Sequence, residues 1–130
     1  MTTEFQPAES DLTSDFRRGF VPFPADRAEA YRQAGYWTGR RLDSILSNAA
    51  SAHPDKAAVI DTDRSLTFAE LDAAADRFGA ALAALGISPG DRVLLQMHNC
   101  AHFAIALFGL LRAGAVPVMC LPGHRAASSP

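Results

Sequence analysis

Arg92-Val93-Leu94-Leu95-Gln96-Met97, His98-Asn99, residues 100–113, Gly114, and then Ala115 to Leu121 form the stretch whose reading decides the fold. The first segment has an unbroken apolar middle, which predicts a strand buried on both faces. Asn99 is placed to cap a helix over 100–113 that carries Phe103, Ala106, Leu107, Leu110 and Leu111. Gly114 stops that helix, and 115–121 reads as a second buried strand. Strand, helix and strand in this order make a βαβ unit, with parallel strands and a right-handed crossover. The fold class is α/β. Parallel strands need helices on both faces, and the chain supplies about three for the purpose. The sheet is therefore expected to be incomplete, with Val116, Val118, Met119 and Leu121 partly in water.

Working back from this unit, Pro89-Gly90 is a turn and Gly86 ends the preceding helix. That helix is predicted to run to Leu85, with Leu71, Ala74, Ala75, Phe78, Leu82 and Leu85 on one face. Its start carries Thr67 followed three residues later by Glu70, a capping box. Before it, Ala57-Ala58-Val59-Ile60 and Ser65-Leu66-Thr67-Phe68 flank the turn Asp61-Thr62-Asp63-Arg64, the pattern of a hairpin. A helix over 42–52 places Leu42, Ile45, Leu46, Ala49 and Ala50 on one stripe and ends at His53-Pro54. A shorter helix over 27–34, capped by Asp26, stops at Gly35. Gly19-Phe20-Val21-Pro22-Phe23-Pro24 reads as an extended segment whose apolar residues need a partner. Residues 1–18 have no periodicity and read as a disordered tail. The expected organisation is thus a tail over 1–18, an extended segment and helices over 19–53, and the truncated opening of an α/β domain over 54–130.

Composition narrows the function. The 130 residues are 48% hydrophobic and 20% charged, which excludes a wholly disordered chain. Twelve basic against fourteen acidic residues give a net charge of −2. The charges are spread evenly, so the footprint of a nucleic-acid binder is missing. The Arg17–Arg18 and Arg40–Arg41 pairs are too short to mark such a patch. The N-terminus lacks the apolar core of a signal peptide, and the apolar run from Ala101 to Leu111 is too short to span a bilayer. Cys100 and Cys120 read as reduced thiols, and the expected location is the cytoplasm.

Few residues invite chemistry. No glycine-rich phosphate motif is present, and the turn after the first parallel strand, His98-Asn99-Cys100-Ala101-His102, has no glycine to let a backbone approach a pyrophosphate. His98, Cys100 and His102 have the spacing of a metal cluster, with Cys120 and His124 as the other pair. The same residues are explained as a helix start with a small core thiol, so no metal site is assigned. His124-Arg125 follows a parallel strand, where ligands bind in open α/β sheets, and Arg125 could meet a carboxylate or phosphate. Asp61 and Asp63 resemble a carboxylate pair, but their place in a hairpin turn explains them as turn formers. No catalytic, cofactor-binding or metal residue is assigned.

Several segments in order are similar to the start of the acyl-adenylate-forming superfamily: Pro54-Asp55-Lys56-Ala57-Ala58-Val59-Ile60-Asp61, Leu66-Thr67-Phe68-Ala69-Glu70-Leu71, Gly86-Ile87-Ser88-Pro89-Gly90-Asp91-Arg92-Val93-Leu94 and Ala113-Gly114-Ala115-Val116-Pro117-Val118. The front end, Gly19-Phe20-Val21-Pro22-Phe23-Pro24-Ala25-Asp26 with Tyr31-Arg32-Gln33-Ala34-Gly35-Tyr36-Trp37, resembles the aryl-acid branch, as does Val118-Met119-Cys120-Leu121-Pro122-Gly123-His124-Arg125. That branch holds the 2,3-dihydroxybenzoate- and salicylate-AMP ligases of siderophore assembly, and the resemblance is greatest to the salicylate enzymes of mycobactin-type pathways. It implies ATP and Mg²⁺ for the full-length family, an aryl acid as substrate and an aryl carrier protein as acceptor. It also implies that the phosphate loop, the aryl pocket and the catalytic lysine lie beyond position 130. Lys56, the only lysine, is not that lysine. Two other readings stand beside this one: another superfamily branch, such as a fatty-acyl or CoA ligase, and a non-catalytic interaction module.

Overall fold

The computed structural model describes residues 21–123. The chain divides into two compact units, Met1–Gly39 and Arg40–Pro130. In the first, helix α1 (Ala25–Gln33) is followed by Gly35 at φ +75°, the left-handed turn expected there. Its N-cap is Pro24, with no side-chain bond, so Asp26 sits in the first turn and is not the cap. Phe23, Tyr31, Tyr36 and Trp37 form an aromatic cluster, with Phe23 and Trp37 ring centres 5.0 Å apart.

The second unit contains α2 (Ser44–Ala52), β1 (Ala57–Ile60), β2 (Ser65–Thr67), α3 (Phe68–Ala84), β3 (Arg92–Gln96), α4 (Ala101–Arg112) and β4 (Val116–Cys120). β1 and β2 form the antiparallel hairpin, with Ile60 opposite Ser65. β3 and β4 pair in parallel, Leu94 beside Val118 and Leu95 beside Met119, with α4 as the connection. The two pairs are separate two-stranded sheets.

Local chemistry explains these boundaries. Thr67 Oγ1 accepts from the Glu70 amide at 3.2 Å, and the Glu70 carboxylate accepts from the Thr67 amide at 2.8 Å, so the capping box starts α3 as its sequence predicts. α2 begins two residues later than the apolar stripe predicts. Leu46 is 2% exposed, but Leu42 and Ile45 are each 64% exposed. Likewise α3 buries Leu71, Ala75, Gly79 and Leu82, while Phe78 and Leu85 stay open.

Two apolar clusters meet on α4. One joins Leu82, Leu95, Ala106, Leu110 and Ala115; the other joins Leu46, Leu71 and Ala75, with Ala104, Ile105 and Phe108 of α4 packed against it. α3 and α4 approach through glycines. A Cβ on Gly79 would lie 3.0 Å from the Gly109 carbonyl oxygen, and one on Gly109 would lie 2.6 Å from Phe78. The parallel sheet departs from expectation. Val93 and Leu95 face the helices, whereas Leu94, Val116 and Val118 on the other face are open at 64%, 44% and 38%. Burial on both faces is therefore not observed within the described residues. The exposure expected of Val116, Val118, Met119 and Leu121 is observed.

Candidate functional site

Ligands of parallel α/β sheets sit outside the carboxyl ends of the strands. In this chain that place is where Met97-His98-Asn99-Cys100 leaves β3 and Leu121-Pro122-Gly123 leaves β4. The two exits are tied together: Gln96 Nε2 donates to the Leu121 carbonyl at 3.0 Å.

The start of α4 is held from the hairpin. The N-cap is Cys100, in extended conformation at φ −154° and without a side-chain cap bond, so Asn99 does not cap the helix. Asp61 supplies the missing acceptor. Its Oδ2 accepts from the Ala101 amide at 2.7 Å, while Oδ1 accepts from the amides of Asp63 at 2.8 Å and Arg64 at 2.9 Å. The bond from Ala101, then those from Asp63 and Arg64, hold the carboxyl below its ordinary value of 3.8, with the Arg64 charge adding to them. An anion at a helix N-terminus is also favoured by the helix dipole. Asp61 is thus the turn former its position predicts and, in addition, the anchor of a helix 40 residues further on. A cleft of about 240 Å³ lies beside it, lined by Val59, Ile60, Asp61, Asn99, Cys100 and Phe103.

The far end of α4 carries a second tie. Arg112 donates from Nη1 to the Asp72 carbonyl oxygen and to Asp76 Oδ1, each at 2.7 Å, and from Nη2 to Ser47 Oγ at 3.0 Å and to the Asp72 carboxylate. One guanidinium so joins α2, α3 and α4. Burial works against its charge, but the hydrogen bond and charge of Asp72, followed by those of Asp76, hold its pKa above the ordinary value. This planar fork with several acceptors is a geometry that lysine cannot reproduce.

The candidate metal ligands do not converge. His98 and His102 are exposed, and Cys100 and Cys120 are half-buried free thiols. Among the described residues no three His, Cys, Asp or Glu side chains come together in a metal-binding group. His124, Arg125 and the Arg17–Arg18 pair lie outside the described residues, as does the predicted tail. Arg41 is engaged in a two-pronged bond to Asp43, at 2.9 Å on each arm. Lys56 is exposed at the approach to β1. The described residues also do not fit ATP with Mg²⁺: the turn leaving β3 has no glycine cradle, and the carboxylate beside it, Asp61, is already engaged by the amides of Ala101, Asp63 and Arg64. No step of a reaction is assigned to them. No helix among them is long and apolar enough to cross a membrane.

This combination of hairpin, capped helix and parallel βαβ unit is a segment of a known enzyme family. Residues 46–128 match the family of AMP-binding enzymes, and the chain belongs to it. It is 67% identical over 114 residues to the salicyl-AMP ligase / salicyl-S-ArCP synthetase of Mycobacterium tuberculosis, a match covering 84% of this chain and 20% of that protein. The 2,3-dihydroxybenzoate-AMP ligase of Bacillus subtilis is 39% identical over 108 residues, covering 83% of this chain and 20% of that protein. Among solved structures, the apo structure of Mycobacterium smegmatis MbtA superimposes with a TM-score of 0.81 at 65% identity, covering 87% of this chain and 21% of that one. The chain therefore spans about a fifth of the length of these relatives. The expected membership of the adenylate-forming family and the α/β class both hold.

Proposed function

We propose that these residues form the N-terminal part of an aryl-acid adenylating enzyme of siderophore biosynthesis, working in the cytoplasm. In that enzyme salicylate or 2,3-dihydroxybenzoate attacks the α-phosphate of ATP, in the presence of Mg²⁺, to give aryl-AMP and pyrophosphate. The aryl group then passes to the phosphopantetheine thiol of an aryl carrier protein. A carboxylate is a poor acyl donor until one of its oxygens becomes a good leaving group, and adenylation supplies that group. The observation that carries this reading is the 67% identity to a salicyl-AMP ligase over 84% of this chain. The segment's own contribution is architectural: it builds the first parallel strands and fixes the start of α4 through Asp61.

The test reads the coding DNA past codon 130 and assays the product of the whole frame by ATP–pyrophosphate exchange. Exchange dependent on salicylate or 2,3-dihydroxybenzoate is expected, and none from the 130 residues alone. A downstream region without a phosphate loop in any frame, or exchange with fatty acids but not aryl acids, overturns the proposal.

A further inference from the structure

We draw no further inference here: the strongest candidate, the surface patch of packed aromatic rings that Phe23, Tyr31, Tyr36 and Trp37 form beside α1, is an unpartnered apolar face, and nothing in the structure shows what covers it.

Discussion

The two faces of the β3–β4 sheet are built from the same kinds of residue and end in opposite states. On the helix side, Leu95 is 6% exposed and packs with Ala106 and Leu110 of α4, themselves 7% and 2% exposed. On the other side, Leu94, next to Leu95 in the chain, is 64% exposed. Composition does not separate them; only the strand alternation and the presence of a cover do. Buried area, not residue type, therefore decides how much each residue contributes to stability. The closed side has a further property that the open side lacks. It is fastened by directed polar bonds, from Asp61 to the start of α4 and from Arg112 to α2 and α3.

That contrast can be broken or sharpened by substitution. The largest loss is expected from Leu110→Ala, which opens a cavity in the covered face and should cost about 2–5 kcal/mol, read from denaturant midpoints. Arg112→Lys comes next, at on the order of 2 kcal/mol. That is below the ~3–5 kcal/mol of a fully buried pair because the Asp76 side chain is 68% exposed. A lysine that restored full stability would show that charge alone, and not the fork, holds the three helices. Asp61→Asn should act mainly through pH. The folded-state carboxyl titrates below the ordinary 3.8, so its contribution is present above that value and is lost as pH falls below about 4. The wild-type chain should therefore lose its melting advantage over the variant as pH drops through that window. A constant difference across the window would remove the carboxylate from the account. Leu94→Ser should change stability by no more than about 0.5 kcal/mol, because the side chain has little cover to lose. A loss equal to that of Leu110→Ala would mean that the open face is covered after all.

Much of this was legible in the sequence because it is local. The capping box of Thr67 and Glu70, the hairpin turn at 61–64, the glycine ends of α3 and α4 and the parallel βαβ order are all written within a few residues of where they act. The Asp61 cap was not legible, since nothing near Ala101 points to a carboxylate 40 residues upstream; the nearest capping residue, Asn99, was the natural expectation and proved wrong. Arg112 looks in sequence like an ordinary basic residue in a last helical turn, and its partners lie 36 to 65 residues away. Periodicity also overstated burial at Leu42, Ile45, Phe78 and Leu85. It reports which residues share a face, and whether that face is covered depends on the rest of the fold. For the candidate site, the absence of a glycine cradle after β3 was readable, whereas the anchoring of α4 became visible only in three dimensions.

Both ties on α4 point backward along the chain. Ala101 reaches Asp61, and Arg112 reaches Asp76, Asp72 and Ser47. A ribosome delivers the chain from the N-terminus, at about 5–20 residues per second. The hairpin, α2 and α3 therefore emerge well before the residue that joins them. Until Arg112 clears the exit tunnel, Asp72 and Asp76 stand as unneutralised neighbours on one helix face, and the arrangement of α2 against α3 lacks its clasp. Among the described helices the latest to be made is the one that locks the earlier ones, so this segment should gain its native order in a single step once α4 has emerged.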